Sequence, residues 1–598
     1  MASKSTICTR KLFTLSLIFL SLSLTIFIVF SRSNHEIIDA FNLDTEPPVQ
    51  LKNLDLLLYE IQGKKKIKIG LININPYEEI EYKSPGSVVS TVHVRFDRVH
   101  RETKWDDFFP AKNSSHLPSC PEIPMPALED YEDLDVVVVK LPCKGWTGRS
   151  GLKDVFRLQV NLVAANVLAA SGWVTPDIKR AVYAVFVGNC EPMPEIFVCE
   201  DLLRKVGDHW VYKPELRRLK QTVVMPPGSC QLAQPYGETG KEAWRYYSAD
   251  HERLKLLKYS AFHQREAYAT VLHSSEDYVC GAIALAQSIL RTNLTSTRDL
   301  VLLHDENITP KSLQALKSAG WDTKQIEGIQ SPFAEKDSDN EWSYSKLRAW
   351  MLTWYDKVVL IDADVLVFQN IEWLFVYPQL SAASNDDTLF NSGLMVIEPS
   401  SCMFEDMMAK SSEMDSNDGS AEGFLNDVFR WWHRLPSEVN FLKDFKGQER
   451  PSWDKISDNV SAIHYLGLKP WMCYRDYDCN WDREEMQRFA SDRDHEKWWQ
   501  AYDEMPKTLQ SYCGLTAHTN WRLKKWRWIA RSLEQPDEHW KIGVTDPRQY
   551  NIGRYVYRVV LSYAAWTWVR MSDTGMFTSS YSDKSKKDHD QEIHEHPS

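Results

Sequence analysis

Lys357-Val-Val-Leu-Ile-Asp-Ala-Asp-Val-Leu-Val-Phe368 is the stretch whose reading decides the fold. The apolar, largely β-branched run Val358 to Ile361 has the character of a buried parallel strand. Asp362 and Asp364 stand where that strand ends, with the small Ala363 between them, so both carboxylates reach one ion. In open α/β sheets ligands bind beyond the carboxyl ends of the strands. An Asp-x-Asp there could hold a divalent cation that in turn holds a diphosphate. Two acids in a solvated turn are the plainer alternative, and the surrounding chain has to decide between them.

Outward from this stretch, strands and helices alternate. On the N-terminal side Ala267 to Leu272 is predicted as a strand, His273-Ser-Ser-Glu-Asp-Tyr278 as its loop, and Cys280 to Leu290 as a helix. Leu300 to Leu303 is the next strand, Pro310 to Ala319 a helix closed by Gly320, and Gln325-Ile326 a short extended piece. Ser345 to Tyr355 is predicted as the helix that feeds the Asp362 strand, and it carries Lys346. Ser381 to Ser384, Phe390 to Ile397 and a helix from Gly423 to His433 follow. This alternation predicts a mixed, mainly parallel α/β sheet with right-handed crossovers, an architecture that binds nucleotides.

Further upstream, Asp135 to Lys140 and Val182 to Val187 read as strands, with Val155 to Ala170 a helix between them. These form a smaller α/β extension, ending near Pro226-Pro227-Gly228. His35 to about Tyr131 reads as a stem and irregular region, whose basic cluster Lys64 to Lys68 suits a solvated face. The last third holds Trp471, Trp481, Trp498, Trp499, Trp521, Trp526 and Trp528 beside Lys524, Lys525 and Arg527. Core packing is the first expectation for these rings, and stacking on an acidic glycan is the second. Tyr555 to Val569 reads as a short amphipathic helix, and Ser579 to Ser598 as disordered.

The whole chain sets bounds. A net charge of -12 over 598 residues argues against a general nucleic-acid binder. Leu12 to Phe30 is uncharged and strongly apolar, with Lys4, Arg10 and Lys11 before it. It reads as a transmembrane signal anchor with a cytoplasmic N-terminus. Of eleven cysteines, Cys8 lies before that segment, leaving ten for disulfides in an oxidising compartment. Asn113, Asn293, Asn307 and Asn459 begin glycosylation triplets on the same side.

From about Glu266 to Trp481 the chain resembles glycosyltransferase family 8, the glycogenin-like fold, and within it the plant glucuronosyltransferases that decorate xylan. The motifs carrying the match are Ala269-Thr-Val-Leu-His-Ser-Ser-Glu-Asp-Tyr278, Lys346, Asp362-Ala-Asp364, Phe390-Asn-Ser-Gly393 and His464-Tyr-Leu-Gly-Leu-Lys-Pro-Trp471. The resemblance implies a GT-A-like catalytic domain in which Leu272, His273 and Tyr278 line the nucleotide pocket. It implies that Asp362 and Asp364, flanking Ala363, bind Mn²⁺ with His464, a mixed N/O set that suits that ion. It implies that Gly467 and Lys469, within the run Tyr465, Leu466, Gly467, Leu468, Lys469, hold the diphosphate. Asn391, Ser392 and Gly393 would touch donor sugar or nucleotide, and Lys346 would reach the donor sugar. One motif departs from the pattern. Where the family reads Gly-Gly-Asp-Gln-Gly, this chain has Gly419-Ser420-Ala421-Glu422-Gly423 after Asp418, replacing the usual Asp and Gln by Ala421 and Glu422. Lys346 and Glu422 are the catalytic candidates.

The expected organisation is then a cytoplasmic tail (1–11), anchor (12–30), stem (31–131), smaller α/β extension (132–260), catalytic domain (261–485), Trp-rich helical region (486–578) and tail (579–598). The expected reaction is retaining transfer of glucuronic acid from UDP-glucuronate to a xylan backbone. The expected location is the Golgi membrane, single-pass type II with a luminal catalytic domain, with other xylan-synthesis proteins as further partners. Two alternatives stay open: a UDP-sugar-binding scaffold that has lost turnover through Ala421 and Glu422, and a transferase using another UDP-sugar.

Overall fold

The computed structural model describes residues 66–549 apart from 83–88, 110–118, 144–152, 176–177, 224–229, 231–264, 293–297, 337, 339, 386–388, 415–418 and 446–459. The predicted anchor, the first part of the stem, Asp418, Asn113, Asn293, Asn459, the Tyr555 to Val569 segment and the tail therefore lie outside the described residues.

The first sheet is built from β1 (Ile67–Ile72), β2 (Val89–His93), β3 (Val136–Lys140), β6 (Tyr183–Val187), β7 (Leu202–Val206) and β8 (His209–Tyr212), in the order β2-β1-β3-β6-β8-β7. A small hairpin, β4 (Trp173–Thr175) with β5 (Ile178–Lys179), stands apart from it. Here the structure differs from the sequence reading. β1 and β2 fall inside the stretch read as stem, yet β1 pairs in parallel with both β2 and β3. Lys68 and Gly70 interrupt the apolar pattern of β1, which hid it. Helix α1 (Val155–Gly172) covers one face with Leu158, Val163, Val167 and Leu168. It is long and apolar enough to cross a membrane, but it is largely buried as the core helix of this unit.

The second sheet runs β11-β10-β9-β12-β15-β14-β16, from β9 (Glu266–Leu272), β10 (Asp299–His304), β11 (Asp322–Gln325), β12 (Lys357–Ile361), β14 (Ser381–Ser384), β15 (Phe390–Ile397) and β16 (His433–Leu435). All its pairings are parallel except those of β15, giving the expected mixed, mainly parallel sheet. Every residue of β12 is buried. Val359 and Ile361 feed the core on one face, with Leu285 and Phe375. Val358 and Leu360 feed the other, with Trp350 and Phe424. A strand covered on both faces must be apolar throughout, which is why its sequence was so legible.

Two elements differ from the expected helices. Ser343–Met351 is a 3₁₀ segment. With three residues per turn, Tyr344, Leu347 and Trp350 line up on one fully buried edge. The helix expected over Gly423 to His433 is α6 (Ala421–Val428), followed by β16. Trp431 packs in the core of the first sheet and Trp432 in that of the second, on the non-helical residues that lead into β16.

Helices α2 (Leu216–Val223), α3 (Val279–Thr292), α4 (Pro310–Ala319), α5 (Ser401–Ser411), α7 (Asp492–Glu504) and α8 (Ala517–Ser532) complete the main framework. α4 begins on the Thr309 cap and closes on Gly320. The ten cysteines beyond the apolar N-terminal segment form five disulfides: Cys120–Cys230, Cys143–Cys190, Cys199–Cys402, Cys280–Cys513 and Cys473–Cys479. Of the described glycosylation triplets, Asn307 is exposed, its side chain donating to Asp305.

The two sheets are joined through charge as well as sulfur. Buried Lys357 donates to Gln221 of α2 (2.7 Å) and lies 3.4 Å from Glu398. Glu398 in turn takes Arg218 of α2 at 2.7 Å, and Arg218 also meets Asp201 at 3.1 Å. Burial pushes the Lys357 amine down, against the pull of Glu398.

Candidate active site

The site forms where β12 ends. β13 (Val365–Val367), which follows the Asp-x-Asp directly, pairs antiparallel with β18 (Ala462–His464), and Val365 faces His464. β17 (Phe441–Leu442) extends this small sheet. One ladder thus brings a histidine from a hundred residues away to the carboxylates. Tyr465 N–H donates to the Asp364 carbonyl at 3.0 Å, fixing the register one residue further.

Asp362, Asp364 and His464 present ligand atoms that all lie within 4.8 Å of one another. His464 Nε2 is 3.3 Å from Asp364 Oδ1. Its Nδ1 lies 3.1 Å from the Asn391 side-chain oxygen, which is identified as oxygen because Gly393 N–H donates to it at 2.9 Å. Asn440 donates to the same oxygen at 2.8 Å. Nδ1 therefore carries the proton on that side, and Nε2 points at a carboxylate, so a proton or a metal ion must lie between them. Two carboxylates and one imidazole fit a divalent cation and leave coordination positions for phosphate oxygens.

Two lysines border the carboxylates. Lys469 Nζ is 2.6 Å from Asp364 and donates to the Tyr465 carbonyl at 2.8 Å. Burial would raise the Asp364 pKa, but Lys469 and His464 hold it well below the usual carboxylate range. Burial depresses Lys469 while Asp364 outweighs it, so the ammonium is retained. Lys346 Nζ is 2.7 Å from Asp362 and reaches Ser392 Oγ at 3.2 Å. β9 contributes through the loop that follows it. Tyr278 sits with its ring 5.8 Å from Lys469 Nζ and edge-on to Trp471, whose indole donates to the Asp277 carbonyl. Burial first, then Lys346, lowers the His273 pKa, keeping its imidazole neutral beside the cluster. Leu272 is buried at the end of β9.

The divergent motif, at the start of α6, lies beside these residues. Ser420 caps α6 by accepting from Gly423 N–H at 3.0 Å, and Ala421 is buried against the core that holds Tyr344 and Phe424. Glu422 reaches the site, accepting from Ser392 N–H (2.8 Å), Ser392 Oγ (3.1 Å) and Asn391 Nδ2 (3.2 Å). Burial raises its pKa against those donors and Lys346. Glu422 therefore meets the other predicted residues, whereas the Ala421 side chain belongs to the core.

The sequence did not signal what holds the Gly467 loop. Asn480 accepts from Leu468 N–H and donates to the Leu468 carbonyl, and is itself fixed by Asp478. Asp478 pairs with Lys443, both side chains only 1 % exposed. Gly467 has φ of +73°, and a Cβ there would lie 2.7 Å from the Asn480 side-chain oxygen. Gly393 is equally constrained, because a Cβ would come 2.4 Å from the His464 ring. Gly393→Ala is therefore expected to displace that ring and weaken divalent-metal affinity about tenfold or more, as losses around a ligand's support do. Calorimetric titration of the metal checks this, with the melting temperature as control.

Residues 45–230 match the model of the GUX1-5 N-terminal domain, and residues 269–386 that of glycosyl transferase family 8. UDP-glucuronate:xylan alpha-glucuronosyltransferase 2 of Arabidopsis thaliana is 46 % identical over 82 % of this chain and 82 % of its own length. The same plant's UDP-glucuronate:xylan alpha-glucuronosyltransferase 1 is 41 % identical over 80 % of this chain and 72 % of its own. Glycogenin-1 of Caenorhabditis elegans is 32 % identical over 34 % of this chain and 51 % of its own. With its mixed sheet, its Asp-x-Asp and this likeness along most of its length, the chain belongs to the UDP-glucuronate:xylan alpha-glucuronosyltransferases of glycosyl transferase family 8, with a GT-A-like fold.

Proposed function

We propose that this chain transfers glucuronic acid from UDP-glucuronate to a xylan backbone with retention of configuration, using Mn²⁺, in plant cell-wall synthesis. The observation that carries the reading is the convergence of Asp362, Asp364 and His464 with Lys469 at the end of one buried strand. When bound there, the metal supplies a Lewis acid for the diphosphate leaving group. Lys469, an ammonium held in a water-poor setting, stabilises the negative charge that grows as the sugar–phosphate bond breaks. Tyr278 and His273 flank the nucleotide, and the Asn391–Gly393 segment of β15 orients the sugar. Lys346 reaches the donor carboxylate, a charge-assisted contact that a neutral sugar would not make. The location that goes with this reading is the Golgi membrane, single-pass type II through Leu12 to Phe30. Five disulfides support an oxidising lumen for residues 66–549.

The direct test is transfer from UDP-glucuronate to xylo-oligosaccharides by the full-length protein, with and without Mn²⁺, beside a measurement of UDP binding. Metal-dependent transfer is the expected result.

A second reading is favoured by one observation: Ala421 and Glu422 replace an Asp and a Gln. In that reading the chain binds UDP-sugar as a scaffold and does not turn over. The geometry of Glu422 separates the two. Its carboxylate is held by Ser392 and Asn391, contacts a glutamine oxygen also makes, while its charge opposes an anionic donor. Glu422→Gln is therefore expected to keep kcat within about tenfold and to lower KM for UDP-glucuronate about fivefold relative to UDP-glucose. Steady-state kinetics with both donors read this out. UDP binding with no transfer by either protein would move the weight to the scaffold.

A further inference from the structure

Of the seven tryptophans from Trp471 to Trp528, two are largely exposed. Trp471, Trp481, Trp498 and Trp499 are buried as expected, but Trp521 and Trp528 on α8 are 60 % and 67 % exposed. They lie seven residues apart, so about 10 Å separates them along one side of the helix. Lys524 and Lys525 stand between them and Arg531 follows, all exposed. Lys525 Nζ is 5.5 Å from the centre of the Trp521 ring. The opposite side, through Asn520, Leu523 and Ala530, is buried and fixes which face is presented. No Asp or Glu occurs from Ala517 to Leu533, in a chain of net charge -12. Two broad rings on a helix whose own charges are all positive form a local reversal of the protein's charge.

We propose that this face binds an acidic polysaccharide. Trp521 and Trp528 stack on the C–H faces of sugar rings, their separation spanning linked pyranoses. Lys524, Lys525 and Arg531 pair with uronate carboxylates. The inference rests on the proposed reaction and deepens it. The acceptor is neutral, while each transfer adds one carboxylate, so the face holds chain that already carries product. Charge complementarity selects this occupant. A lipid surface would require a continuous apolar stripe, whereas His518, Lys525 and Ser532 share this face with the two rings.

The test uses the full-length protein in detergent, without sugar donor. It is titrated with glucuronoxylan fragments, with unsubstituted xylo-oligosaccharides of equal length, and with bicelles containing phosphatidylserine. Salt-sensitive binding of the acidic fragments, about tenfold tighter than the neutral ones, is expected. Trp521→Ala/Trp528→Ala should weaken that binding about tenfold. Lys524→Gln/Lys525→Gln should erase the preference for the acidic fragments, and transfer to a short xylo-oligosaccharide should be unchanged in both variants. Equal binding of acidic and neutral fragments, or undiminished binding by the tryptophan variant, overturns the proposal. So does binding of the bicelles in place of the glycan, or binding that arises only when the chain is ended after Tyr550, which would make residues 551–598 the occupant. If short acceptors are not glucuronosylated while acidic fragments still bind, the proposed reaction falls and the binding face stands.

Discussion

Transfer by an Asp364→Ala protein is expected to fall about 10³-fold, the scale set by losing preorganised stabilisation of a leaving group's charge. Asp364 is the centre of the site, meeting both His464 and Lys469. Its removal deprives the imidazole and the ammonium of their shared partner, so the metal position and the diphosphate position fail together. Asp362 is more exposed, and Lys346 is its partner. Asp362→Ala should therefore lower metal affinity with less disturbance around it. Asp364→Asn keeps the shape while halving the charge offered, and a matched melting temperature would show that the loss is chemical. Initial rates with UDP-glucuronate and a xylo-oligosaccharide, together with metal titration, measure all three. Undiminished transfer by the two alanine variants would sink the assignment of the metal site.

The largest effect on stability is expected from Lys443→Met. Lys443 and Asp478 are paired with essentially no exposure, and removing one partner of such a pair costs about 3–5 kcal/mol because the other charge is left uncompensated. Burial would raise the Asp478 pKa, but Lys443 and His495 hold it below the ordinary value. A depressed carboxyl contributes stability that is fully present above the unfolded pKa of about 4 and is lost as pH falls through the folded value. This pair is thus intact from neutral pH down to mild acid. In Lys443→Met the remaining carboxyl reverts to the direction burial dictates and rises. The melting temperature deficit should be several degrees at pH 7.5 and smaller at pH 4.5, where protonated Asp478 needs no cation. Because Asp478 holds Asn480 and Asn480 holds Leu468, UDP affinity should drop as well. A deficit independent of pH would remove the buried charge as its cause.

Much of this was legible because the chemistry is local. β12 is apolar on both faces and ends on two acids, and Pro310 to Ala319 carries a cap at one end and glycine at the other. Helix and strand lengths failed where tertiary packing overrode local pattern: the 3₁₀ edge of Tyr344, Leu347 and Trp350, and the two tryptophans after α6 that enter different cores. At the site, His464 was visible only through its resemblance motif, since nothing in sequence spacing announces a β13–β18 ladder. Asn440, Asn480 and the Lys443–Asp478 pair had no signal at all, because an Asn or a lone charge in an irregular stretch reads as a turn. Trp521 and Trp528 sit in the same aromatic-rich region as four buried rings, and only packing tells them apart.

A hinge needs a seam that can slide, and the seam between the two sheets is closed three ways. Cys199–Cys402 crosses it covalently, Lys357, Glu398 and Arg218 cross it with charges placed to suit one alignment, and Phe109 meets Trp431 edge-on across it. Sliding would strand those charges without water, so closing by swinging one sheet over the other, as two-lobed enzymes do, is barred here. Whatever yields in this fold must then be loops and not the seam.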